Sequence, residues 1–295
     1  MRKTVLCLST LACLSLPMAA SAVDTLSKIR DTKTITFAYI PASEPFSYVD
    51  EHQQVIGYSI DLCVKVADAV KRELKLPNLK VQFLPVDNTS RFTSLVEGKA
   101  DLECGTTTNN AERRKKFDFT IPHFFSGVRM LVRTGAGIKN WPDLRDKTVV
   151  TTKSTTAIKL LNDRSNVRAL KVKLLEGNID ADSFAMIEQG RADAFPMDDV
   201  LLYSLRSSAK DPAALAIVGD PLSVEPYAIM LRKDDADFKK IVDHEMLRII
   251  AEGEIHRLYE RWFMRPVGLK GINMNMPMGY LLRESLRFPT DKVAN

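Results

Sequence analysis

The chain has 295 residues, a formal net charge of +5, 45% hydrophobic residues and 27% charged ones. That balance is globular, and the positive excess is too small for the electrostatic footprint of a nucleic-acid-binding protein. The length suits one large domain or two ordinary ones.

Residues 1–22, MRKTVLCLSTLACLSLPMAASA, place Arg2 and Lys3 before an apolar run from Val5 to Leu16, then Ala20 and Ala22 at A-x-A spacing. This is the pattern of a secretory signal peptide cleaved after Ala22. Its apolar core is short for a membrane span, which needs about 20 residues, and no later stretch approaches that length. A soluble, exported mature chain is expected, and the loss of Arg2 and Lys3 leaves 40 basic against 37 acidic residues, a net charge of +3. Cys7 and Cys13 leave with the leader. Cys63 and Cys104 remain, able to form one disulfide in an oxidising compartment, with two buried free thiols as the alternative.

Strand and helix patterns then alternate. TITFAYI (34–40) is a strand, and GYSIDLCVKVADAVKREL (57–74) sets Ile60, Cys63, Ala67, Val70 and Leu74 on one helical face. KVQFLPV (80–86) is a second strand, RFTSLVEG (91–98) a short helix ended by Gly98, and ADLECG (100–105) a third strand. Such a run predicts a largely parallel sheet with ligands at the carboxyl ends of its strands, where the loop CGTTTNNAERRKKFDFT (104–120) sits. A Cys63–Cys104 bridge would join the first helix to the tip of the third strand. The alternation repeats in DKTVVTT (146–152), TTAIKLLND (155–163), VKLLE (172–176), DADSFAMIEQG (180–190) and ADAFPM (192–197). Two α/β lobes follow. SGVRMLVR (126–133) and VEPYAIMLR (224–232) read as extended connectors, so the chain crosses twice and helices from Asp234 to Phe263 return to the first lobe.

No metal or phosphate chemistry stands out. The histidines at 52, 123, 244 and 256 lack zinc-ligand spacing, and CGTTTNN lacks the Gly and Lys spacing of a phosphate loop. Met274, Met276 and Met278 would suit a cuprous ion, but apolar packing on the first lobe is the expected use.

In order, PFSYVD…GYSIDLC, DLECGTTTNNAERRKKFDFT, WPDLRDKTVV, SFAMIEQGRADAFPMDD and YAIMLRKDD…FKK resemble the periplasmic solute-binding proteins of polar amino-acid ABC importers (extracellular solute-binding protein family 3), nearest the glutamate/aspartate-binding branch. The resemblance covers nearly the whole mature chain, including the tail NMNMP. It implies an α/β, two-lobed periplasmic-binding-protein fold of type II, with hinge-linked lobes and a ligand cleft between them. Lobe 1 is expected to comprise 23–125 and 228–295, with a C-terminal extension 266–295, and lobe 2 to comprise 126–227 with the hinge segments. The expected protein is a monomer that binds a free L-amino acid in the periplasm and delivers it to an inner-membrane ABC permease, with no reaction, no cofactor and no nucleic acid.

The residues of the loop 104–120 support such a site. Arg113 offers a planar fork for the α-carboxylate and matches the family's carboxylate-binding arginine at T-x-x-x-x-R spacing from Thr108. Thr106 and Thr108 add hydroxyl and backbone contacts, whereas Arg114, Lys115 and Lys116 are expected at the surface. From the second lobe, Ser154, Thr155 and Thr156 begin a helix whose free N–H groups attract a carboxylate, and one of the three is expected to cap it. Asp198 matches the family's acid for the α-ammonium, with Asp199 expected to cap the next helix. Asn88, Ser90 and Met197 are expected to shape the side-chain end.

At that end the chain departs from the acidic-ligand branch, which places an arginine where Ile40 stands and a histidine where Asp180 stands. Only Arg91 persists among its side-chain cations. Glutamate or aspartate remains the first expectation, and requires Asp180 to point away, to be protonated or to be neutralised. The alternatives are a neutral polar ligand such as glutamine or asparagine, and a dehydratase-like enzyme on the same fold with Asp180 as acid or base.

Overall fold

The computed structural model describes residues 24–267, 271 and 273–293, so the export segment 1–22 lies outside the described residues. The first sheet has five strands in the order Lys80–Pro85, Thr34–Tyr39, Leu102–Glu103, Met230–Arg232, Phe117–Phe119. The first three run parallel, and Met230–Arg232 is antiparallel to both its neighbours. Thr34–Tyr39 is the inner of the longer strands and is buried along most of its length, which is why TITFAY reads as a continuous run rather than an alternation. Helix Tyr58–Glu73 covers this sheet with Ile60, Cys63, Val66 and Val70 buried, and helix Ala236–Ala251 packs beside it. Cys63 and Cys104 form a disulfide with Cα atoms 6.2 Å apart, tying that helix to the end of the third strand.

The second sheet repeats the plan with Lys173–Gly177, Thr148–Thr152, Ala194–Asp198, Val128–Arg133 and Leu215–Val218. Again three parallel strands are followed by one antiparallel strand that crosses over from the other lobe. The two crossings pair with each other as an antiparallel ribbon of Phe124–Ser126 and Glu225–Tyr227. The ribbon is rooted in the first lobe: Phe124 lies 5.0 Å from both Phe46 and Phe263 and 5.8 Å from Tyr227, ring to ring. Edge and stacked contacts of this kind add to the burial of the rings themselves.

Two details depart from the sequence expectations. The helix expected over 155–163 runs on through Thr156–Arg168, because no Gly or Pro interrupts DRSNVR and the Lys159–Asp163 pair supports it. Ala169, in the left-handed region at φ 50°, ends it. Arg114, expected at the surface, instead anchors the tail by donating to the Val293 carbonyl at 3.2 Å, while Asn109 donates to the Asp291 carbonyl and Lys239 pairs with the Asp291 carboxylate. The tail thus closes back on the loop 104–120, with helix Tyr280–Arg287 against the ribbon strand Phe124–Ser126. Met274, Met276 and Met278 pack on the apolar core, as expected of them.

Candidate functional site

The site lies where the carboxyl ends of the two parallel sheets meet across the ribbon. On the first lobe, the loop leaving Glu103 runs buried from Cys104 to Asn109. Arg113 is set by its backbone N–H donating to Asn110 Oδ1, and its guanidinium donates to the Thr108 carbonyl at 3.0 Å. A second Arg113 nitrogen reaches across to the Ser154 carbonyl of the other lobe at 3.4 Å. Thr108 also bridges to Tyr227, so its backbone fixes Arg113 to the ribbon.

Arg91 comes from the first turn of helix Ser90–Val96. Its position is set by Asp87, whose carboxylate accepts from the N–H groups of Thr89 and Ser90 and from the Ser90 hydroxyl. That hydroxyl is therefore occupied within its own turn, where it holds the start of the helix that carries Arg91. The Arg91 side chain is buried, lies 4.8 Å from the centroid of the Phe92 ring, and leaves Nε without a hydrogen-bond partner among the described residues. Arg113 lies over the same ring at 5.2 Å. Two guanidiniums thus share one aromatic platform.

On the second lobe, Thr155 holds the N-cap position of helix Thr156–Arg168 but its hydroxyl donates back to the Thr152 carbonyl at 2.7 Å. No side chain caps this helix, contrary to expectation, because Ser154 turns into the left-handed region at φ 60° and spends its hydroxyl on Thr89 of the first lobe. The first-turn N–H groups stand uncapped at the seam, which is the arrangement that favours an anion. Asp199 likewise does not cap: Asp198 occupies the N-cap position, and Asp199 accepts from the Ser126 hydroxyl at 2.7 Å, pinning its helix to the crossing strand. Asp198 ends its strand buried, with the Tyr227 hydroxyl donating to it. Asp180 is buried at the start of helix Asp180–Glu188 and accepts from Asn88 across the seam at 3.3 Å.

Charge is crowded here. Burial, then the nearby Glu225 carboxylate, pushes the Asp198 carboxyl up to about 8. Burial, then repulsion from Arg91, lowers Arg113 to about 10, against the pull of Glu225, Asp198 and Glu103. Asp180 is raised by burial, with the Thr152 hydroxyl, Arg91 and Asn88 pulling it back. These directions follow from excluding water around ionisable groups.

Of the residues singled out from sequence, Arg91, Arg113, Asn88, Asp180, Asp198, Thr155 and Thr156 converge on this seam. Thr106 and Met197 are buried, and Ile40 follows strand Thr34–Tyr39 with its carbonyl accepting from the Ser47 hydroxyl. Glu103, Glu225 and Tyr227 were passed over. Glu103 and Tyr227 read as ordinary strand and connector residues, and only the polarity of an acid inside an apolar strand marked Glu103 as unusual. Among the described residues, no group of His, Cys, Asp and Glu side chains is arranged to hold a metal ion.

Residues 35–265 match the family model of the bacterial extracellular solute-binding proteins, family 3. The chain is 44% identical to the L-glutamate/L-aspartate-binding protein of Pseudomonas aeruginosa, over 96% of this chain and 94% of that one. It is 39% identical to the glutamate/aspartate import solute-binding protein of Escherichia coli K12, over 94% and 92%. Among solved structures, an ancestral arginine-binding protein bound to arginine is similar with a TM-score of 0.71 at 26% identity, over 78% of this chain and 98% of that one. An ancestral amino acid-binding protein described as a precursor of cyclohexadienyl dehydratase is similar with a TM-score of 0.67 at 27% identity, over 81% and 99%. With two α/β lobes, a double crossing and these matches, the chain belongs to the bacterial extracellular solute-binding proteins, family 3.

Proposed function

We propose that this protein is the exported, substrate-binding component of an amino-acid ABC importer, that it binds glutamate or aspartate between its lobes as a monomer, and that it delivers the ligand to a membrane permease. The carrying observation is Arg91, a buried guanidinium whose Nε has no partner among the described residues, held on the same ring as Arg113. A buried guanidinium N–H left without an acceptor is costly, and a ligand carboxylate supplies that acceptor. Arg113 and the uncapped 156 helix take the α-carboxylate, Asp198 takes the ammonium, and Arg91 takes the side-chain carboxylate. Thr106 and Thr108 line the carboxylate end, while Asn88 and Ile40 border the side chain. Grips from both lobes make closure favourable with ligand present. The lobes divide at residues 125/126 and 227/228. The relatives named for glutamate and aspartate support the same reading.

Asp180 fits an acidic ligand because burial favours its neutral form and Arg91 and Asn88 compensate the charged one. Its place at the seam also favours the second reading, a neutral amide ligand that donates to Asp180 and accepts from Arg91. Its neighbours Asn88, Arg91 and Thr152 offer no proton-transfer partner for dehydratase chemistry.

A calorimetric screen of the common amino acids decides the ligand. Wild-type protein should bind glutamate or aspartate best, and Arg91→Ala should weaken glutamate far more than glutamine. Glutamine or asparagine binding at least about tenfold tighter than glutamate and aspartate would make the amide reading the correct one.

Affinity should also depend on pH. In the empty cleft Asp198 holds its proton up to about pH 8. A ligand ammonium favours the ionised form, so binding below that pH releases the proton, and affinity rises with pH until it levels off above about 8. Calorimetry at about pH 6 in buffers of different ionisation enthalpy should register release of about one proton. A dissociation constant that is flat between about pH 6 and 8 would remove Asp198 from the ammonium site.

A further inference from the structure

Along the third strand, alternation sends Leu102 and Cys104 to the face covered by helix Tyr58–Glu73 and Glu103 to the opposite face. There Glu103 pairs in register with Ala38 on one side and Met230 on the other, both members of a small apolar cluster against which Phe92 packs. The carboxylate is fully buried, and neither oxygen makes a well-formed hydrogen bond among the described residues, with the Thr107 hydroxyl the polar side chain beside it. Its seat is specific. A Cβ on Gly105 would lie 2.4 Å from Glu103 Oε1, so Gly105 is a glycine here for space, to let the carboxylate lie against the backbone where the strand enters the ligand loop.

A carboxylate in such surroundings persists only if cations compensate it. The two available are the guanidiniums of Arg91 and Arg113 on the Phe92 ring. Burial pushes the Glu103 carboxyl up, and Arg91, then the Thr107 side chain, then Arg113 draw it back toward its ordinary range. The same geometry relieves the repulsion between the two arginines, which Glu103 offsets from beneath the loop. We propose that Glu103 is a specificity-determining residue: from its seat against Gly105 it offsets the charge of Arg91 and Arg113, and so sets how strongly the cleft prefers an anionic over a neutral ligand side chain. The proposal rests on Arg91 as the side-chain grip, and it assigns Glu103 an effect on discrimination rather than on binding as such.

The test is the ratio of glutamine to glutamate dissociation constants, measured by calorimetry on the full mature chain. Glu103→Gln removes one negative charge near the two guanidiniums and should raise that ratio about tenfold or more, whereas Glu103→Asp should leave it near the wild-type value. Glu103→Met, similar in size and apolar in an apolar cluster, removes the charge without burying an unpaired amide and should shift the ratio in the same direction. A ratio within about twofold of wild type in the two charge-removing variants overturns the proposal, because a merely structural Glu103 would weaken both ligands alike. A wild-type preference for glutamine overturns the acidic-ligand reading separately, while the shift between wild type and variants can still be read.

Discussion

Arg113→Ala should leave a folded protein whose affinity for its amino acid falls about 30-fold to several thousand-fold, the effect of about 2–5 kcal/mol expected when one partner of a desolvated charge pair is truncated. The side chain acts at three points. In the proposed site its fork would present parallel donors to the ligand's α-carboxylate, while in the structure it holds the Thr108 carbonyl of its own loop and reaches the Ser154 carbonyl at the start of the facing helix. Removal therefore takes away the anion's main counter-charge and loosens the loop and the seam together. A lysine at this position would restore charge but not the fork, so Arg113→Lys should recover only part of the loss. Calorimetry with a melting curve on each variant makes the measurement. Near-normal affinity in folded Arg113→Ala protein would exclude Arg113 from the site.

Reducing the Cys63–Cys104 bridge should destabilise the protein by about 2–4 kcal/mol, the entropy of a closed loop of this length, and lower its melting temperature by roughly 5–15 °C. Both cysteines are buried. The loss lies in the restored freedom of the unfolded chain between residues 63 and 104, a span that includes Arg91 and the entry to the ligand loop. Unreduced protein, once denatured, should show no titratable thiol. Two thiols in that assay would falsify the bridge.

Much of this architecture is legible in local pattern. The apolar spacing of Ile60, Cys63, Ala67 and Val70 specifies the helix that covers the first sheet, and both lobes repeat a strand and helix alternation with a period that the eye can follow. Arg113 and Asp198 stand out in the sequence because their residue types match the charges of an amino acid, and the structure brings both to the seam between the lobes. Capping was misjudged at both Thr155 and Asp199 for one reason: their side chains are drawn to the Thr152 carbonyl and to Ser126, and neither attraction is visible in local sequence. Glu103 and Tyr227 escaped notice because their importance arises only after distant segments come together. Tyr227 meets Asp198 through the ribbon, and Glu103 meets Arg91 and Arg113 through the shared Phe92 platform.

The exchange of fourth strands between the sheets also governs the order in which the chain can acquire its shape. The second sheet is complete once Leu215–Val218 is available, whereas the first must wait for Met230–Arg232 and for the helix Ala236–Ala251 beyond it. A chain emerging from its N-terminus thus has Leu102–Glu103 as a bare sheet edge throughout the time the second lobe assembles, and such edges invite wrong pairings. Both ends of the Cys63–Cys104 bridge lie in the earlier half, so oxidation can fasten the covering helix to that edge before its last strand arrives. It follows that no single cut in the gene releases the first lobe as a contiguous piece, and that a fragment ending before residue 230 would hold a finished second lobe joined to an unfinished first one.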